Sequence, residues 1–206
     1  MIEKLAYSLG RNDEEPNIAL ARELAETKNK KGIKEIVLGL SNPNGQIAND
    51  CIKVLYEIAG ISPRLVSEYA GNFIALLKSR NNRLVWGSMM ALSKIAFLKA
   101  DEVFKDLDVI VNAYEKGSTI TRDNSISVFT ELARADKRYE EKVYPIIIKH
   151  LEECRPREVG QHAERAFVCI NKSNSKKFKA VLLKRSGSLT EAQKKRVDKL
   201  LKRIDV

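Results

Sequence analysis

Apolar residues recur along this chain at a constant interval of 37 residues, and this period constrains the fold more than any other feature. Three columns keep the interval: Ile36, Phe73, Ile110 and Ile147; Val37, Ile74, Val111 and Ile148; Leu40, Leu77, Tyr114 and Leu151. An interval of this length is typical of a supersecondary unit that is repeated and stacked on its neighbours. The sequence therefore predicts a repeat protein.

The stretch Arg83–Ala96 shows the pattern that predicts the second helix of each repeat unit. Its apolar residues are three or four positions apart, which places one apolar stripe along a helix. Two positions of the stripe recur through the chain, with a last step of 38 residues: Leu55, Leu92, Phe129 and Phe167; Ile58, Ile95, Leu132 and Ile170. No segment shows a sustained two-residue alternation, so strands are not expected.

Turn signals divide the repeats into helix pairs. The predicted pairs are 2–10 with 15–28, 33–41 with 46–59, 62–78 with 83–96, 101–115 with 120–135, and 137–153 with 157–171. A last pair departs from the columns, and the Ser188-x-x-Glu191 spacing predicts a capping box at the start of its final helix.

Two segments resemble the second helix of HEAT repeats, NNRLVWGSMMALSKIA (Asn81–Ala96) and NGQIANDCIKVLYEIA (Asn44–Ala59). Pro145 resembles the proline in the first helix of many HEAT units, although the Asp-Val-Arg sequence common in HEAT second helices is absent. The resemblance implies an all-α, right-handed α-α superhelix of the armadillo/HEAT class with about five to six helix pairs. HEAT-like proteins are mostly scaffolds and binding platforms, and a minority of related helical-repeat proteins are DNA glycosylases for alkylated bases.

This interpretation predicts a single repeat domain over residues 1–206. Residues 1–29 form a degenerate N-terminal pair, residues 30–171 the regular repeats, and residues 172–206 a basic C-terminal capping pair. Terminal repeats are usually atypical, because one of their sides faces water.

The net charge of +10 is concentrated at the C-terminus. Residues 172–206 hold 12 Lys/Arg and three acids, a net +9, so residues 1–171 hold 25 bases and 24 acids, a net +1. With 44% hydrophobic and 31% charged residues, general disorder is excluded. Because the chain shows neither an 18-residue apolar run nor a secretory signal, and its three cysteines are unpaired by spacing, we expect a cytoplasmic location.

In stacked helix pairs the exposed side of the second helices forms the concave surface. The repeat register places on that surface positions whose residue type changes from repeat to repeat. These candidate partner-binding residues are Asn49, Lys53, Trp86, Met90, Lys94, Asp123, Ser127, Gln161 and Arg165.

Trp86, the only tryptophan, has two interpretations. Beside Met90 it would anchor a partner peptide or helix. Alternatively, it packs between adjacent second helices and only fills space.

A glycosylase-like interpretation would use Trp86 to stack on a base, Asp123 to stabilise a developing positive sugar, and Arg122 or Arg165 to hold phosphate. No motif connects these residues, so catalysis is not favoured and no catalytic residue is predicted.

His150 and Cys154 have a spacing at which one helix can present two metal ligands, and His162 and Cys169 are candidates to complete a set. However, Pro156 separates the two helices, and neither C-x-x-C nor H-E-x-x-H is present. The sequence therefore predicts no metal site and no cofactor.

The basic C-terminal helix is the second candidate surface. Lys194, Lys195, Lys199, Lys202 and Arg203 predict contacts with phosphate backbone, RNA or an anionic membrane surface, or alternatively a solvated face on a capping helix.

From the repeat pattern and the concave residues, we favour a non-catalytic scaffold that binds a protein partner on its concave surface. Nucleic-acid binding through the C-terminal helices and the groove is the alternative, with glycosylase-like activity as a subset of it.

Overall fold

In the computed structural model, which describes residues 1–204, every regular element is helical. Residue contacts divide the chain into two compact units, Met1–Ser125 and Ile126–Val206. The first unit contains Glu15–Glu26 (α1), Lys30–Gly39 (α2), Gly45–Ile61 (α3), Ala70–Leu76 (α4), Asn82–Ile95 (α5), Ala100–Lys105 (α6) and Leu107–Lys116 (α7). Thr119–Ala135 (α8) contains the boundary between the units. The second unit continues with Lys137–Glu153 (α9), Pro156–Ala166 (α10), Ser175–Ser186 (α11) and Glu191–Ile204 (α12).

Asparagine side chains start the helices of the first repeats. Asn29, Asn44 and Asn81 are the N-caps of α2, α3 and α5, and the side-chain oxygen of each accepts a hydrogen bond from a backbone N–H in the first turn. Such caps satisfy donors that have no partner inside the helix. The predicted starts of these helices are confirmed to within a few residues, and the largest difference is in α2, which begins at Lys30 rather than at residue 33.

In the first unit, α3 packs between α1 and α5, while α2 packs on α3 and α4 packs on α5. The predicted columns supply the contacts, since Leu55, Ile58, Leu92 and Ile95 are completely buried. Each such side chain contributes roughly 1.5–3 kcal/mol on burial. In the second unit, α9 packs on α11, and α10 packs on α12. None of the helices in residues 1–204 combines the length and apolar character that a membrane crossing requires.

Three predicted helices are broken or absent. Segment 62–78 contains two 3-10 turns, Pro63–Leu65 and Ser67–Tyr69, before α4, and Val66 between the turns has a φ of −117° and is completely buried. Segment 101–115 divides at Asp106 into α6 and α7.

Segment 2–10 contains only the 3-10 turn Ile2–Lys4 and further turns. Side chains from outside this segment accept hydrogen bonds from its backbone in place of helical carbonyls. The backbone N–H of Ala6 donates to the Asn17 side chain, and that of Tyr7 donates to the Asp50 side chain.

The C-terminal pair forms as α11 and α12, but the predicted capping box is wrong. Thr190 and Gln193 exchange the two hydrogen bonds of the box, while the Ser188 hydroxyl donates to the carbonyl of Arg185. Asp205 and Val206, which belong to the predicted capping pair, lie outside the described residues. The prediction of one domain over residues 1–206 stays a prediction.

Close packing of α3 against α5 predicts the effect of Gly87→Ala. A Cβ at Gly87 would lie 2.7 Å from Cγ1 of Ile52, whose side chain is completely buried. We expect the free energy of unfolding in urea to fall by about 1–3 kcal/mol from overpacking. This loss opposes the gain of up to about 1 kcal/mol that alanine normally brings to a helix.

Gly60→Ala in α3 is the matched control, because a Cβ at this position would point into open space. It should leave stability unchanged or slightly raised. If both variants had the same free energy of unfolding, the packing described for α3 and α5 would be contradicted.

Candidate functional site

The second helices α3 and α5 carry the largest group of predicted partner-binding residues. On these helices Asn49, Trp86 and Met90 are half-buried, and Lys94 is exposed. Lys53 differs from the rest, because it is 6% exposed. The surface formed by α3 and α5 around these residues is called the α3–α5 surface below.

The side chain of Trp86 is half-buried and makes contacts with two neighbouring side chains. Its ring lies 5.7 Å from the ring of Tyr56 on α3, tilted by 46°, and the guanidinium of Arg83 lies 5.1 Å from the Trp86 ring centroid. Aromatic and cation–π contacts of this geometry hold a ring in place while leaving part of its area exposed. Trp86 therefore packs between second helices and also keeps accessible surface.

An ion network crosses the α3–α5 surface. The Lys53 ammonium lies 2.9 Å from the carboxylate of Glu14 and 2.7 Å from that of Glu57, and Glu14 also binds Arg83. Glu14 immediately precedes α1, so one carboxylate joins three neighbouring elements. Lys53 is therefore buried with its charge compensated, and its ammonium is not presented to solvent as the sequence interpretation assumed.

The pKa values follow from these contacts. Burial opposes ionisation of Glu14, but hydrogen bonds from Lys53 and Arg83 outweigh it and hold the pKa of Glu14 below its ordinary value. Burial likewise opposes the charge of Lys53, yet hydrogen bonds to Glu57 and Glu14 raise the pKa of Lys53. Both groups are thus charged at neutral pH.

Amide side chains extend the surface along the start of α5. The Nδ2 of Asn81 donates to the Oδ1 of Asn49 over 2.8 Å, and the Oδ1 of Asn81 accepts from the backbone N–H of Arg83. Beside them is a cavity of about 280 Å³, whose lining includes Arg11, Glu14, Asn49 and Asp50. Sequence reasoning missed Glu14 and Asn81 as parts of this surface, because Glu14 belongs to the degenerate N-terminal pair and Asn81 lies between two predicted helices.

The remaining predicted concave residues lie on α8 and α10. Asp123, in the first unit, and Ser127 and Gln161, in the second, are half-buried. Arg165 donates to the Ser127 hydroxyl over 2.9 Å. Arg122 donates to the carbonyls of Tyr114 and Glu115 at the end of α7. Both arginines considered for phosphate binding thus have partners within the protein.

On α12, the predicted basic residues Lys194, Lys195, Lys199, Lys202 and Arg203 are exposed. Val197 and Leu200 are buried on the opposite side of the helix. Two arginines of α12 make contacts within the protein. Arg196 binds Glu164, and the Arg203 guanidinium lies 4.3 Å from the Phe167 ring centroid. The lysines therefore form a solvated cationic face on an amphipathic helix.

Solved structures with the same architecture exist. A designed armadillo repeat protein in complex with the peptide (KR)4 is similar with a TM-score of 0.71 and 13% identity, over 93% of this chain and 91% of that chain. A computationally designed armadillo repeat protein for modular peptide recognition is similar with a TM-score of 0.69 and 14% identity, over 91% of each chain. An engineered protein is similar with a TM-score of 0.64 and 18% identity, over 99% of this chain and 96% of that chain.

The chain has an armadillo/HEAT-like repeat fold. The predicted fold class, an all-α solenoid, is thereby confirmed. Within residues 1–204, the order of the helices after α1 is that of five successive pairs, with α6 and α7 in the place of one first helix. No family model matches the sequence, and no curated protein matches it either. At these identities the similarity to solved structures concerns the fold and the repeat-scaffold architecture.

The ion network predicts the effect of Glu14→Gln. The substitution removes the charge between Lys53 and Arg83 while keeping the side-chain size, and Glu57 continues to pair with Lys53. We expect the free energy of unfolding at neutral pH to fall by about 1–2 kcal/mol, because a buried ammonium loses one partner while the 44% exposure of Glu14 reduces the effect through solvent screening.

The same variant predicts a pH dependence. Because the pKa of Glu14 is lowered in the folded state, its contribution is present above the unfolded-state pKa and is lost as the pH falls through the folded-state pKa. The difference between wild type and Glu14→Gln should therefore close in acid. Glu23→Gln is the control, since Glu23 pairs with the exposed Lys4, and it should change stability by about 0.5 kcal/mol or less. Equal losses for both variants would refute the network's role.

Proposed function

We propose that this repeat scaffold is non-catalytic and binds a segment of a protein partner on its second-helix surface, with Trp86 as the anchor. The supporting observation is the position of Trp86, which keeps accessible area while Tyr56 and Arg83 restrict its ring. An aromatic side chain held in this way contributes contact area at a low entropic cost, a property of interface hot spots.

The charges around Trp86 favour an apolar and amide-based mode of recognition. Glu14, Lys53, Glu57 and Arg83 compensate one another, so a partner does not need to supply a matching charge for Lys53. Trp86 and Met90 offer apolar area, and Asn49 offers an amide beside them. The expected partner is an extended or helical segment that places an apolar side chain against Trp86 and Met90.

The structural neighbours support this proposal at the level of the scaffold. The designed armadillo repeat protein that resembles this chain is in complex with a peptide. Residues Lys94, Asp123, Ser127, Gln161 and Arg165 remain proposed contributors to the same function, on the repeat register alone.

Trp86→Ala tests the anchor. Tagged wild type and variant would be incubated with lysate of the native cell, crosslinked, and compared by quantitative mass spectrometry. We expect the partner to be depleted at least about 10-fold with Trp86→Ala, because truncating a hot-spot aromatic costs about 2 kcal/mol or more. Binding should persist at high salt, since the recognition is largely uncharged.

Leu38→Ala is the matched control, because Leu38 is an exposed apolar residue of α2, a first helix. It should retain the partner. If Trp86→Ala retains every partner of wild type, the anchor is refuted, provided that circular dichroism shows the variant folded.

Nucleic-acid binding is the second candidate function, and the cationic face of α12 favours it. Under this alternative, replacing Lys194, Lys195, Lys199 and Lys202 with Gln weakens binding to duplex DNA or single-stranded RNA and flattens its salt dependence, because each lost phosphate contact lowers the slope of log affinity against log salt by about 0.9 on B-DNA.

Fluorescence anisotropy at several salt concentrations measures both effects. Replacing Lys28, Lys30, Lys31 and Lys34, four exposed lysines of the first unit, is the matched control with the same charge change. Equal losses in both quadruple variants would show a general charge effect, and no binding by wild type at low salt would refute this alternative.

A further inference from the structure

Three metal-ligating side chains meet in the second unit, away from the α3–α5 surface. Ligand atoms of His150, Cys154 and His162 all lie within 4.8 Å of one another. Both histidines are buried and Cys154 is half-buried. Neither the proposed scaffold function nor the nucleic-acid alternative uses these residues.

The helical hairpin explains how the three residues come together. His150 lies in the last turn of α9, and Cys154, four positions later, is the residue at which this helix ends. Arg155 and Pro156 reverse the chain, and α10 then packs on α9, which places His162 opposite His150. The proline that separates the helices in the sequence is thus part of the turn that joins the three side chains.

The two imidazoles are in direct contact. Nε2 of His150 lies 2.7 Å from Nδ1 of His162, with ring centroids 4.7 Å apart. In the metal-free pair one of these nitrogens donates a proton to the other. A tetrahedral zinc ion with Zn–N bonds near 2.0–2.1 Å holds two nitrogens roughly 3.3 Å apart, so a small separation of the rings converts the hydrogen-bonded pair into a pair of ligands.

The position of Cys154 is fixed from the outside. The guanidinium of Arg185 on α11 donates to the carbonyls of Leu151, Glu152 and Cys154 over 2.7–2.8 Å. These carbonyls belong to the end of α9, where helical partners are missing. The segment that carries the thiol is therefore held in place, which lowers the entropic cost of ligand binding.

We propose that His150, Cys154 and His162 form a binding site for a zinc-class transition-metal ion. Two imidazoles and one thiolate suit a borderline-soft ion such as Zn²⁺ and disfavour Mg²⁺ and Ca²⁺, which require oxygen ligands. On binding, the thiol of Cys154 releases its proton to solvent, and the proton between the imidazoles moves to the far nitrogen of its ring. The three ligands leave one position of a tetrahedral ion for a water molecule or an added ligand.

The metal would join the end of α9 to α10 and thereby stabilise the C-terminal repeats. Among residues 1–204 the cluster consists of His150, Cys154 and His162, without Cys169. The thiol of Cys169 donates to the carbonyl of Ala166 over 3.2 Å. Cys169 therefore provides a matched control, a second thiol in the same unit.

The test uses the full chain without an affinity tag, stripped of metal by a chelator and titrated with Zn²⁺ or Co²⁺. We expect one equivalent of Zn²⁺ to bind and to raise the Tm. Co²⁺ should produce a thiolate-to-cobalt charge-transfer band together with the absorption of tetrahedral cobalt. Cys154→Ala should abolish the charge-transfer band and weaken Zn²⁺ binding at least about 100-fold, more than the loss of an outer-sphere partner.

Cys169→Ala should keep the stoichiometry and the band, and His162→Gln should lose both. Because His162 is buried, circular dichroism of its variant is required, and Cys154→Ala alone decides the result if His162→Gln unfolds. The proposal is overturned if wild type shows no saturable binding, or if Cys154→Ala binds Zn²⁺ as tightly as wild type. In either case the histidine pair is only a buried hydrogen bond.

Discussion

Burial of apolar stripes between neighbouring helices is the constraint on which this structure depends. A single helix pair of this size cannot hide its stripe, so each pair needs another beside it. The helix α3 shows the consequence, because Leu55 and Ile58 are completely buried only by virtue of the helices packed around α3. Close approach also demands small residues at particular points, as Gly87 against Ile52 illustrates.

The ion network around Lys53 depends on that packing and would not exist without it. Stacking brings α1, α3 and α5 close enough for Glu14, Lys53 and Arg83 to meet, and it also removes Lys53 from solvent. A buried ammonium is costly unless it is paired, so the network makes the position tolerable. As a result, the surface beside it presents the ring of Trp86 rather than an unpaired charge, which supports recognition of apolar groups.

The architecture follows from the sequence, whereas the surfaces depend on contacts between distant positions. The 37-residue columns correctly predict the all-α repeat fold and most of the buried positions, because burial requires one residue type at one interval. They do not predict the breaks at Val66 and Asp106, where local geometry overrides helical periodicity. Nor do they reveal that Lys53 is buried, since a lysine at an expected surface position has no sequence signal for its partner Glu14, 39 positions earlier.

His150, Cys154 and His162 show the same division most clearly. The spacing of four residues predicts that His150 and Cys154 lie close together at the end of one helix, because residues four apart share a helix face. The sequence offers both His162 and Cys169 as further ligands, and Pro156 between the helices argues against either of them. The contact between His150 and His162 depends on the tertiary structure, because the turn at Arg155 and Pro156 and the packing of α10 on α9 determine how far apart the imidazoles lie. The period of a repeat determines which residues are buried, but the packing of the helices determines which side chains touch.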